Sequence, residues 1–83
     1  MSNLSPREEK ERMLKKLSLI NGLVARANNA AGNAESYMAF LAGAWSHTYA
    51  IRPTEPFAHE RVKQWFAVGV RGSEYAMNLR KQK

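Results

Sequence analysis

Two imidazoles, His47 and His59, are the side chains best suited to proton transfer or metal ligation in this chain, which has no cysteine and no aspartate. Glu55 and His59 stand four residues apart, a spacing that sets two ligands on one helical face across the expected start of a helix. Two ligands do not complete a metal site, and no third lies close in sequence. Ser46 and His47 are neighbours, but adjacency is not the geometry of a nucleophile and its base. Gly69-Val70-Arg71-Gly72 follows no strand pattern, so it lacks the setting of a phosphate loop. Without cysteine there is no thiolate chemistry and no disulfide framework. A binding protein is expected, with no metal and no cofactor, rather than an enzyme.

Charge is the stronger clue. The chain carries a formal net charge of +6 over 83 residues. From Arg61 to Lys83, six basic residues (Arg61, Lys63, Arg71, Arg80, Lys81, Lys83) meet one acid, Glu74, leaving +5 at this end. Such a charge attracts phosphate backbones or acidic protein surfaces. With Arg52 from the segment before them, these residues are the candidate contacts to nucleic acid or to an acidic partner. On a helix, Lys63 and Arg71 share a face with Glu60, Gln64, Glu74 and Asn78, a mixed and solvated pattern.

The elements that must position these charges read as helices. Ser5-Pro6-Arg7-Glu8 has the form of a capping box with proline at the first helical position. Met13, Leu17, Ile20, Val24, Ala27 and Ala31 then recur at spacings of four and three. The first helix is expected over about residues 6–30, with Gly32 as its stop and Asn33 capping the second. That second helix, about 34–49, sets an apolar face of Tyr37, Phe40, Leu41, Ala44 and Trp45 opposite a small face of Ala39, Ala42, Gly43 and Ser46. Such a helix suits the centre of a bundle. Pro53 and Pro56 interrupt helix, giving a linker over 50–55. A third helix follows over about 56–79, capped by Thr54 or Glu55. Its core seam would be Ala58, Val62, Trp65, Gly69, Gly72, Ala76 and Leu79, broadened by Phe66, Val70 and Met77; the two glycines would either allow a close helix crossing or mark a kink near Gly72, and residues 80–83 would form a basic tail. One all-α domain, a small three-helix bundle, is the expected fold.

Two stretches resemble known families. Arg61-Val62-Lys63-Gln64-Trp65-Phe66 resembles the third helix of homeodomains, but the asparagine that reads adenine there has no counterpart among Ala67 to Val70. Tyr37-Met38-Ala39-Phe40-Leu41-Ala42-Gly43, Pro56-Phe57, Gln64-Trp65 and Gly69-Val70-Arg71 together resemble ribosome modulation factor over residues 37–76. Glu55 stands where that family has cysteine, and the first 33 residues have no counterpart. The resemblance implies a two-helix module on ribosomal RNA of the small subunit, with Arg52, Lys63 and Arg71 among its phosphate contacts.

The longest stretch free of formal charge, 16 residues from Ser36 to Ile51, is too short and polar for a comfortable membrane span. No signal-peptide core is visible at the start. A cytoplasmic protein without a membrane partner is expected. The first functional reading is a regulator or inhibitor docked on a ribosome or other nucleoprotein complex. The alternative is an inhibitor or adaptor acting by protein–protein contact, of the type phages and plasmids encode, anti-CRISPR proteins among them. A homodimer through the first-helix seam is a third reading.

Overall fold

Ser5 stands in extended backbone before Pro6, and its hydroxyl oxygen accepts a hydrogen bond from the Glu8 N–H at 3.2 Å. With that cap made, α1 runs Pro6–Asn29, α2 Asn33–Tyr49 and α3 Glu60–Lys81 in a computed structural model that describes residues 5–30 and 33–81. No strand occurs among the described residues. The expected stop at Gly32 and the last seam residue, Ala31, lie outside them.

α2 is the centre of a flattened three-helix bundle. α1 lies antiparallel to it, so that the Lys16 ammonium sits 4.4 Å from the centre of the Tyr49 ring. α3 lies parallel to it: Glu35 meets His59 and Arg61 near the start of both, and His47 meets Ser73 further along. α1 and α3 barely touch. The principal extents, 43 × 34 × 15 Å, leave room in the thin direction for one layer of helices and the linker laid over it.

Two helices can be parallel only if the chain between them returns, and residues 50–59 do so. Ala50 adopts φ 55°, the left-handed conformation at a helix end. Its N–H donates to the His47 carbonyl at 3.3 Å, and the Ile51 N–H donates to the Ser46 carbonyl at 3.0 Å. This Schellman arrangement turns the chain back along α1. There Asn21 Oδ1 accepts from the N–H groups of Thr54 and Glu55, and Asn21 Nδ2 donates to Thr54 Oγ1. One face of α1 further on, Asn28 Oδ1 accepts from the Ala58 N–H and its Nδ2 donates to the Pro56 carbonyl.

These bonds correct one expectation. The third helix starts at Glu60 rather than near Pro56, because the N–H groups of Thr54, Glu55 and Ala58 are held by α1 and those residues follow a non-helical path. Thr54 and Glu55 are therefore linker, not caps. At the other end, Arg80 and Lys81 belong to α3 rather than to a tail, and the helix continues without a break through Gly72.

The core consists of Ile20, Val24, Ala42 and Ile51, with a second cluster of Ala27, Ala39 and Val62. Phe57 of the linker packs against both, and its ring lies 5.1 Å from that of Phe66. The α1 seam is buried from Ile20 to Ala27, while Met13 is exposed. On α2 the small residues Ala39, Ala42, Gly43 and Ser46 are buried, together with Glu35, and Tyr37 is exposed.

The expected seam of α3 is also rotated. Val62 and Gly69 are buried, and Phe66, Val70, Ser73 and Met77 are half-buried beside them, while Trp65, Gly72, Ala76 and Leu79 are exposed. The cause is close backbone approach. A Cβ on Gly69 would lie 2.0 Å from the Phe40 carbonyl oxygen, and one on Gly43 2.0 Å from the Phe66 carbonyl oxygen. Helices meeting backbone to backbone must turn their smallest residues inward, and bulk moves to the flanks.

Candidate nucleic-acid and partner interface

α3 carries Arg61, Lys63, Arg71, Arg80 and Lys81 against Glu60 and Glu74, five positive charges less two negative. All five basic side chains are exposed, as is Arg52 on the linker. Lys83 lies outside the described residues. At about 100° per residue, Lys63, Arg71 and Lys81 fall within one arc of about 80° on the outer side of α3. Glu60 and Glu74 share that arc, so the helix presents a mixed edge with a positive excess.

Arg52 joins this edge from another element. It lines a shallow cleft of about 490 Å³ with Ser46, His47, Pro53, Phe66 and Val70. Lys63 precedes Phe66 by three residues and Val70 by seven, so it stands on the flank of α3 that borders the cleft. Arg52, Lys63 and Arg71, the residues singled out through the resemblance, thus lie on one end-to-end strip of the molecule only in part. Arg71 is turned further outward than Lys63.

Arg61 is placed differently. Its Nε lies 3.7 Å from Oε1 of Glu35, and the Nδ1 of His59 lies 3.6 Å from the same oxygen. Glu35 is 5% exposed, and that oxygen has no hydrogen bond among the described residues, so charge attraction alone holds it. Arg61 therefore has an intramolecular carboxylate competing with any phosphate. His59 pairs with this buried acid rather than with Glu55, the expected i,i+4 partner, because both Glu55 and His59 lie in the non-helical linker. Nothing local in sequence marks Glu35 as buried: its partners come from 24 and 26 residues away.

His47 is tied into a hydroxyl chain. Thr48 Oγ1 donates to the Ala44 carbonyl at 2.8 Å, which commits its only proton. Ser73 Oγ, 2.9 Å from Thr48 Oγ1, must then be the donor in that contact. Ser73 has no second proton for His47, whose Nδ1 at 3.0 Å is therefore the donor to Ser73 Oγ. The network fixes the imidazole as a cross-tie between α2 and α3, and the Ser73 proton points away from it. Ser46, the other residue of the pair, has its hydroxyl buried without a hydrogen bond among the described residues.

No cluster of three or more His, Cys, Asp or Glu side chains able to hold a metal occurs among the described residues. None of the described helices is long and apolar enough to cross a membrane. Comparison with protein-family models, curated proteins and solved structures yields no match to this chain.

Proposed function

We propose that this chain is a non-enzymatic binding protein that docks on a nucleic-acid-containing machine in the cytoplasm, a ribosome or another nucleoprotein complex, and regulates or inhibits it. One observation carries the reading: the basic side chains of α3, and Arg52 on the linker, are all exposed, with Lys63, Arg71 and Lys81 on the outer side of one helix. Lys63, Arg71 and Lys81 serve as phosphate contacts, assisted by Arg52, Arg80 and Lys83. Arg61 contributes less because Glu35 already engages it. The partial resemblance to ribosome modulation factor supports ribosomal RNA as the nucleic acid.

Affinity for single-stranded RNA or for ribosomal subunits, measured by fluorescence anisotropy, is expected to fall steeply between about 50 and 200 mM salt. Lys63→Glu with Lys81→Glu should weaken binding and flatten that dependence. Affinity that ignores salt would overturn the reading.

A second reading is a protein-directed inhibitor or adaptor, as anti-CRISPR proteins are. It is favoured by a separate observation, the large apolar side chains of α3 that stay open to solvent.

A further inference from the structure

On α3, Trp65, Val68, Gly72, Tyr75 and Leu79 recur at spacings of three and four, the pattern of a helix seam made to meet another helix. None of the described elements closes over them. Trp65 is 40% exposed, Val68 42%, Tyr75 67% and Leu79 46%. Gly72 is exposed as well, with only the edge of the Phe40 ring beyond the position of its absent Cβ. From Trp65 to Leu79 the stripe rises about 21 Å, close to four helical turns. Bulky residues at both ends and a glycine in the middle make a low saddle, a hole of the kind that receives a large side chain from a facing helix.

The charges beside the seam select among occupants. Arg61 lies on the seam's own line and Arg71 on its border, within about 80° of the midline. The acids of α3, Glu60 and Glu74, lie about 100° and 140° from it. Glu35, the acid of α2 nearest to Arg61, is buried. The surround of this apolar stripe is thus polar and positive, with no exposed acid of α3 among its borders. A second copy fits poorly: two seams crossed at Gly72 in antiparallel fashion would set Arg71 against its own copy, and parallel pairing would set Arg61 against Arg61.

We infer that the open seam of α3 is a docking site for an acidic amphipathic helix of a partner protein. Leucine-like side chains enter the saddle over Gly72 between Trp65 and Leu79, and glutamates or aspartates flanking them meet Arg71 and compete with Glu35 for Arg61. The inference gives the protein-directed reading its partner chemistry and shares only Arg71 with the main phosphate contacts, whose other members on α3, Lys63 and Lys81, lie on another side of the helix.

The test uses the full chain, labelled for NMR, titrated with a synthetic peptide of about 21 residues, three heptads, apolar at its a and d positions and rich in Glu elsewhere. A control peptide keeps the seam and replaces Glu by Lys. The expected result is shifts centred on Trp65, Val68, Tyr75 and Leu79, with the Lys peptide at least about tenfold weaker. Val68→Glu and Leu79→Glu, each at an already exposed position, should each lower affinity about tenfold while salt-dependent RNA binding persists. Absence of binding, equal binding of both peptides, or shifts confined to the exposed Met13 and Leu14 of α1 would overturn the inference. So would concentration-dependent broadening of the seam in the protein alone, which assigns it to a second copy. Displacement of the peptide by oligouridine through the same seam resonances would assign it to RNA bases. Loss of RNA binding with the peptide still bound would remove the phosphate reading and leave this one standing.

Discussion

α2 meets its two neighbours in different ways. Against α1 it uses side chains, with Ile20, Val24 and Ala27 entering between Ala39, Ala42 and the linker's Ile51 and Phe57. Against α3 it uses backbone, with Gly43 under the Phe66 carbonyl and Gly69 under the Phe40 carbonyl. Side-chain packing can adjust by rotamer changes when volume changes, whereas a backbone contact has nothing to move but a whole helix. The glycine contact also has a functional consequence. By drawing the small face of α3 inward it turns Trp65, Tyr75 and Leu79 outward, so the same residues that dock α3 create its open seam.

The largest expected effect is at that contact. Gly43→Ala or Gly69→Ala places a methyl group 2.0 Å from a carbonyl oxygen, which only separation of α2 and α3 relieves. A loss of about 3 kcal/mol is expected, at the upper end for overpacked sites. Denaturant melting measures it, and His47 should lose its tie to Ser73 in the same variants. A loss under about 1 kcal/mol would mean that α3 can slide, and the contrast between the interfaces would fail.

The second test falls on the linker, which belongs to the α1 side. Asn21→Ala removes three hydrogen bonds and strands the N–H groups of Thr54 and Glu55. A cost of about 1–2 kcal/mol follows, since these groups are partly open to water. Hydrogen exchange should quicken at Thr54 and Glu55 before it does in α2, locating the loss in the strap rather than in the helices.

How much of this could be read from the sequence divides along the same line. The Ser5 cap and the Ile20, Val24, Ala27 face of α1 were legible, because cap chemistry is local and one stripe of α1 is plainly more apolar than the rest. α3 offers two apolar stripes about 140° apart, one through Trp65 and Leu79 and one through Phe66, Val70 and Met77. Hydrophobicity favours neither strongly, and the choice is made by Gly43 on another helix. The linker was misjudged for a related reason. Thr54 and Glu55 are good caps in isolation, but Asn21 engages their backbone, and Asn28 that of Ala58, from about thirty residues away. The basic residues were legible as a count. Their distribution was not, since the burial of Glu35, which engages Arg61, depends on His59 and Arg61 returning beside it.

Ala50 provides a smaller effect of opposite sign. It holds φ 55° at the turn that sends the linker back, a conformation that costs an alanine about 1 kcal/mol. Ala50→Gly relieves that strain but loosens the unfolded chain, so a net gain of about 0.5 kcal/mol is expected in thermal melting. A loss would indicate that the Ala50 methyl packs productively at the mouth of the cleft with Arg52 and Phe66.

A last effect of similar size sharpens the comparison most. Gly72 lies on the same helix as Gly69, yet its absent Cβ would meet only the Phe40 ring at 3.5 Å, an ordinary contact. Gly22 on α1 has nothing within 4 Å of that position. Neither glycine is needed for packing, so Gly22→Ala and Gly72→Ala should each raise stability by about 0.5–1 kcal/mol through helix propensity alone. The two part company in binding. Gly22→Ala should leave the acidic peptide's affinity unchanged, whereas Gly72→Ala fills the saddle and should weaken it several-fold despite the more stable fold. A glycine that costs stability and serves no internal contact is explained if an outside side chain occupies its place, and equal peptide affinity in the two variants would remove that explanation.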